Sequence, residues 1–250
     1  MMISDDSILG FGVVRLLQAL TAIFALSNIA AIVFGKTSAD RTSRAIPWLQ
    51  RSTSAQLAVI SWLFWIFSAR GTPLSLAVVL LATGMSISFI ADLIMAGMIQ
   101  VPNRLIGGIV AFGLVHALYI TAYLGVWRLA GDIDRPMLLG SLLAWAILGF
   151  MLWGACVRNP NAPRTLSVGA ALYTVLVASM VAVATAVAFS QHRFRLLAAG
   201  ALLFLISDLL LGNHIFRKRN WPYVSEVVWL TYITGQCCIL WAVLRGCEIG

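Results

Sequence analysis

Apolar residues run along this chain in long stretches divided by short polar gaps, with no sustained alternation at period two. Eight stretches reach the ~20 residues that a helix needs to cross a bilayer core: Ile8–Phe34, Ser52–Ala69, Leu74–Met98, Leu105–Trp127, Met137–Cys156, Leu166–Phe189, Leu196–Ile215 and Tyr223–Leu244. Helix-breaking residues separate them, as in Arg70-Gly71-Thr72-Pro73 and Val101-Pro102-Asn103-Arg104. An outer-membrane barrel would need the missing alternation. The pattern predicts an all-α polytopic membrane protein, an eight-transmembrane-helix bundle forming a single integral membrane domain over residues 1–250. Most gaps are short, so sequential helices are expected to be antiparallel neighbours.

Composition narrows the class. Of the 250 residues, 61% are hydrophobic and 10% charged, where a soluble domain carries ~25% charged residues. A soluble globular protein, a disordered chain and a disulfide-knit module are excluded. The net charge of +8 does not build a phosphate track for nucleic acid, because its residues sit in the gaps, where they meet lipid headgroups. Loops after helices 1, 3, 5 and 7 hold ten Lys and Arg against six on the other side, which turns the odd loops to the cytoplasm. Met1–Ser7 is acidic and the first stretch is long for a signal peptide. A bacterial inner membrane is the expected location. Cys156, Cys237, Cys238 and Cys247 form no CxxC pair and read as small core residues.

The acidic residues change the picture more than the net charge does. Of nine, Asp5, Asp6, Asp40, Asp132, Asp134 and Glu248 fall in gaps or termini, leaving Asp92, Asp208 and Glu226 inside apolar stretches. Ile90-Ala91-Asp92-Leu93 is echoed by Ile206-Ser207-Asp208-Leu209, 116 residues or four helices later. His116 follows Asp92 by 24 residues, and Tyr232 follows Asp208 by 24. An even number of intervening helices suggests two parallel four-helix halves, residues 8–127 and 137–244. At ~1.5 Å per residue, Asp92 and Asp208 lie ~10 Å inside the odd-loop end and His116 and Tyr232 ~16–18 Å. The polar groups therefore share the leaflet expected to be cytoplasmic. His116 and Tyr119 share one helical face, as do Tyr232 and Gln236.

An intramembrane carboxylate costs ~2.5–3.5 kcal/mol on insertion scales, so by default it marks a functional site. The alternative is polar glue, with Asp92 bonded to His116 and Asp208 to Tyr232. For Tyr119, Tyr173, Tyr232 and Gln236, hydrogen-bonding support stands beside direct catalysis. Glu226 is expected to pair with the Arg217-Lys218-Arg219 run, His192 and His214 to be solvated, and Trp127 and Trp221 to join an interfacial belt. Serine-hydrolase, zincin and phosphate-loop motifs are missing from the sequence. One deep His with two Asp makes no recognisable ligand spacing, so no metal and no cofactor are expected.

At these residues the chain resembles the YhhN family of lysoplasmalogenase-like multi-pass membrane proteins. The likeness rests on Ala91-Asp92-Leu93, on His116-Ala117-Leu118-Tyr119 after Gly107, Gly108 and Phe112, and on Tyr173 with Met180. It is strongest at Phe204-Leu205-Ile206-Ser207-Asp208, Asn213, Thr231-Tyr232 and Gln236. The first two helices match poorly: Lys36 and Pro47 are far apart where the family joins Lys to Pro, and Ala91 stands for the family's Gly. The resemblance implies an eight-helix bundle that hydrolyses the vinyl-ether bond of a lysoplasmalogen, a lysophospholipid, to a fatty aldehyde and a glycerophospho-base. It puts the acidic positions on Asp92 and Asp208, with His116, Tyr119, Asn213, Tyr232 and Gln236 as polar companions.

The chemistry of the residues agrees with that activity. Protonating the β-carbon of a vinyl ether gives an oxocarbenium ion, which water then captures. Two carboxyls in different environments divide the work of proton donor and base, as at glycosidic bonds. Arg217, Lys218 and Arg219 are expected to hold the substrate phosphate. Two readings stand as alternatives: a proton-coupled transporter of a small solute or lipid, suggested by parallel repeats, and a non-catalytic lipid-binding protein.

Overall fold

The computed structural model describes residues 5–247; Glu248 lies outside them. The chain folds into α1 (Asp5–Val33), α2 (Pro47–Phe64), α3 (Ser75–Met95), α4 (Arg104–Ala130), α5 (Arg135–Leu152), α6 (Arg164–Ser190), α7 (Arg195–Arg217) and α8 (Val224–Cys247). Single π-turns extend α2 over Trp65–Ala69 and α5 over Trp153–Val157, and a 3₁₀ turn, His192–Phe194, leads into α7. All eight are long and apolar enough to cross a membrane, and the described residues hold no strand. The protein is an integral membrane protein with the eight-helix architecture expected from the sequence.

Local signals set the helix ends. Pro47 starts α2 at a position where its missing N–H is harmless, five residues before the expected start. Asn103 caps α4 by accepting from the Leu105 and Ile106 N–H groups, and Asp134 caps α5 by accepting from Met137 N–H. Asp5 and Asp6, expected outside the spans, begin α1. Lys218 closes α7 in the left-handed conformation.

Six helices form a closed ring. α2 packs on α3, α3 on α4, α4 on α6, α6 on α7 and α7 on α8, and α8 returns to α2 and α3. α1 flanks this ring on α2, and α5 flanks it on α6. Burial follows: 61% of the α6 span is buried against 6% of the α5 span, which turns Leu139, Leu143, Ile147 and Phe150 outward. Lipid is as apolar as a core, so an outward apolar face costs nothing here. Sequential neighbours hold along the chain except at the join between α4 and α5, where α4 packs on α6 instead.

Glu226, in the first turn of α8, does not pair with the basic run after α7. It is buried, and its Oε1 accepts from the backbone N–H groups of Arg44 and Ala45, the latter at 2.8 Å, so it pins the first loop to α8. Tyr223 and Ser225 N–H groups donate to the Arg41 and Thr42 carbonyls of the same loop. Within that loop, hydrogen bonds from Ser38 and then Thr42 hold the exposed Asp40 carboxyl below its ordinary pKa. Trp127 is not part of an interfacial belt: it is fully buried in the core.

Candidate active site

Helices α2, α4 and α8 begin, and α3 and α7 end, around a cavity of about 490 Å³. It sits at the bundle end that carries the loops after the odd helices. Asp92, in the last turn of α3, and Asp208 of α7 both line it.

Each carboxyl accepts a hydrogen bond from a tyrosine on another helix. Tyr173 of α6 donates to Asp208 Oδ2 at 2.8 Å, and Tyr232 of α8 donates to Asp92 Oδ2 at 3.2 Å. His116 of α4 stands behind Tyr173, fully buried, with Nε2 2.9 Å from the Tyr173 hydroxyl and 3.6 Å from Asp208 Oδ2. The pairs are therefore crossed. The glue arrangement expected from the sequence joined His116 to Asp92 and Tyr232 to Asp208; in the structure each reaches the aspartate of the other half.

The two sides differ in what lies behind the tyrosine. Tyr173 gives its only hydroxyl proton to Asp208, so its oxygen accepts from His116 Nε2. The other ring nitrogen, Nδ1, faces Met180 Sδ at 3.3 Å, and a thioether only accepts. Both nitrogens thus face atoms able to accept a hydrogen bond. Behind Tyr232 the partners are neutral: Gln236 Nε2 donates to the Tyr232 hydroxyl at 3.3 Å and to Ser88 Oγ at 3.0 Å, and Gln236 Oε1 accepts from the Tyr119 hydroxyl. Phe204 locks both sides, meeting His116 edge-on at 4.9 Å and Tyr232 at 5.1 Å between ring centroids. Trp229 and Phe112 also pack on Tyr232.

The remaining expected residues fall outside the cavity lining. Asn213 donates to the Cys156 carbonyl at 2.9 Å and ties α7 to the π-turn after α5. Arg217, Lys218 and Arg219 are exposed at the end of α7, and the Arg217 guanidinium bonds the Ala155 carbonyl. Residues that the sequence did not mark as site residues also line the cavity: Gln50, Arg51, Arg104, Ser207 and His214. Arg51 and Arg104 were visible only as loop charges. His192 is exposed as expected, whereas His214 is half-buried, with Nδ1 out of contact with solvent and without a partner. A second, apolar cavity of about 80 Å³ between α4, α6 and α7 shares Asp208, Phe112, Met95 and Leu105 with the first. Cys156, Cys237 and Cys238 are free, and the Cys247 side chain lies outside the described set. Among the described residues, no group of three or more His, Cys, Asp or Glu is placed to hold a metal ion.

The YhhN family profile matches residues 49–243, which include all of the cavity lining and leave α1 outside, and the chain belongs to that family. Searches of curated proteins and of solved structures gave no significant match.

Proposed function

We propose that this YhhN family member is a lysoplasmalogenase-like membrane hydrolase that cleaves the vinyl-ether bond of a lysophospholipid by acid–base catalysis. The family includes lysoplasmalogenases. The observation that carries the reading is a pair of intramembrane carboxyls on one cavity, with unlike partners behind them.

Asp208, with the Tyr173 hydroxyl on Oδ2 and His116 behind it, is the ionised partner. Asp92, held by the longer bond from Tyr232 within a neutral amide and hydroxyl network, is the protonated partner. Asp92 delivers its proton to the β-carbon, and the C=C electron pair forms the new C–H bond. The positive charge is left on the carbon bonded to oxygen, shared with that oxygen and facing the Asp208 carboxylate. Asp208 removes a proton from water as the water oxygen attacks that carbon. The hemiacetal then breaks its bond to the glycerol oxygen, which takes up a proton, and an aldehyde leaves. One water is consumed, and both carboxyls re-equilibrate with solvent through the open mouth. Tyr173, Tyr232, His116, Tyr119 and Gln236 orient the carboxyls; each removes a rotational freedom that a reacting proton donor cannot afford.

The crossed partners also support a parallel duplication of halves 8–127 and 137–244, since a two-fold axis exchanges contacts in this way. The Lys/Arg excess of the odd loops supports a cavity mouth on the cytoplasmic side.

The test is aldehyde release from a lysoplasmalogen by purified protein in detergent. Turnover by the wild type, with about a thousandfold loss in both Asp92→Asn and Asp208→Asn, is the expected result. Undiminished turnover in either variant removes the two-carboxyl mechanism. Detergent offers no second compartment, so substrate consumption there separates hydrolysis from transport.

A further inference from the structure

The floor of the cavity is acidic, but its mouth is not. Arg51, in the first turns of α2, and Arg104, the first residue of α4, both line it. They converge on one short turn at the end of α3. Arg51 Nη1 lies 3.5 Å from Met98 Sδ, and Arg104 Nη1 lies 3.9 Å from where a Cβ on the neighbouring Gly97 would stand. Gly97 has φ +74°, which lets the chain fold back beneath the Arg104 side chain without strain. Neither arginine has a carboxylate within ion-pair distance among the described residues. A thioether does not neutralise a guanidinium. Two like charges thus face one space with no protein anion between them.

Other features of the mouth have the same sign. The N-terminal ends of α2, α4 and α8 open there, with their positive dipole ends toward the space. Arg51 precedes Ser54 by about one helical turn, ~5 Å along the axis, and Ser54 neighbours the Asp92 carboxyl. Five bonds separate the ether oxygen of a lysoplasmalogen from its phosphorus, a reach of the same order. The apolar cavity that meets the first at Asp208 and Phe112 gives the start of a hydrocarbon chain an apolar surface to enter.

We infer that Arg51 and Arg104 form the subsite for the phosphodiester of a lysophospholipid, with the vinyl ether between Asp92 and Asp208 and the chain entering the α4–α6–α7 cavity. This assignment rests on the proposed hydrolase reading for the position of the ether, and it moves the phosphate contact from the Arg217–Arg219 run to the cavity mouth. It makes the arginines specificity-determining. They select glycerophospholipid ethers over neutral glycerol ethers, through charge-assisted bonds to the phosphate oxygens.

The test measures binding, not turnover. Purified protein in neutral detergent is titrated with a saturated 1-O-alkyl lysophospholipid, which cannot be hydrolysed, and with the matching 1-O-alkylglycerol, which lacks phosphate. The wild type is expected to prefer the phospholipid by roughly 10- to 100-fold, the yield of one or two hydrogen bonds to a charged group. R51A/R104A is expected to lose that preference while binding alkylglycerol as the wild type does, which also serves as its folding control. R51K/R104K is expected to restore part of the preference, and R217A/K218A/R219A to retain all of it. Full preference in R51A/R104A overturns the inference. So does equal displacement of the phospholipid by the same concentration of inorganic phosphate, which would mark a free-anion site. A preference that depends on the arginines in a protein without turnover leaves the subsite standing and removes the hydrolase reading. Turnover without a phosphate preference does the reverse.

Discussion

The Asp92 and Asp208 sides of the cavity carry the same acid at the same sequence offset, in surroundings of opposite character. Asp208 faces a tyrosine backed by an imidazole whose two nitrogens meet only acceptors. Asp92 faces a tyrosine backed by an uncharged amide. The difference arises at single positions. Tyr232 and His116 stand 116 residues apart, as the aspartates do, so one half supplies a phenol where the other supplies an imidazole. Tyr173 is an added element of α6. An arrangement with two alike sides would leave the carboxyls interchangeable, whereas this one gives them unlike surroundings, which the proposed division into proton donor and base requires.

The helix pairs behind each side differ in a related way. α3–α4 and α7–α8 are the two most extensively packed pairs in the bundle. In α7–α8, Gly200 and Gly235 let backbones touch; a Cβ on either would lie 2.7 Å from the other's carbonyl oxygen. At the same offset in α3–α4 stand Gly84 and Tyr119, and the Tyr119 ring lies on Gly84. One pair uses its small residue for backbone contact. The other uses it to seat the phenol that holds Gln236, and through Gln236 the Asp92 side.

The comparison breaks first at the carboxyls. Asp92→Asn and Asp208→Asn are each expected to lower kcat by about 10³, or ~4 kcal/mol of barrier, and a large inequality would put both steps on one residue. Their pH profiles sharpen it. A general acid must be protonated, so the wild-type rate falls at high pH as Asp92 ionises; a base must be ionised, so it falls at low pH as Asp208 protonates. The residual rate of Asp92→Asn should lose the alkaline limb, and that of Asp208→Asn the acid limb, in initial-rate measurements. Exchanged limbs would reverse the assignment.

Smaller effects follow one bond further out. Tyr173→Phe and His116→Gln are expected to lower kcat by roughly 10- to 100-fold with little change in KM, and Tyr232→Phe by less than 10-fold, because its bond to Asp92 is longer and its backing uncharged. Equal losses on the two sides would mean that the imidazole adds nothing. The smallest effects lie in packing. Gly200→Ala should cost about 1–3 kcal/mol of stability in detergent unfolding, since backbone must move. Gly84→Ala should cost less stability but disturb activity, since the Tyr119 ring yields.

The helices and both carboxyls were legible in the sequence because each has a signature that depends on no partner. A long apolar stretch is a span wherever it packs, and an Asp inside one is conspicuous. The crossed pairing was not legible, because spacing along one half says nothing about which half's residue fills the space opposite. Glu226 shows the same gap: proximity to Arg217, Lys218 and Arg219 in sequence suggested an ion pair, but the loop of Arg44 and Ala45 folds back to take its oxygen instead. Arg51 and Arg104 read as loop charges because their helices bring them to one mouth only in three dimensions.

The central claim is that a carboxyl of this cavity, Asp92, protonates carbon. Hydrolysis of a lysoplasmalogen in deuterated water, with the aldehyde trapped by reduction as it forms, tests that directly by mass spectrometry. The wild type is expected to place one deuterium on the carbon next to the former carbonyl, in step with product formed, and Asp92→Asn to yield almost none of this product. Aldehyde formed without deuterium at that carbon, or labelled product made equally well by Asp92→Asn, would contradict it.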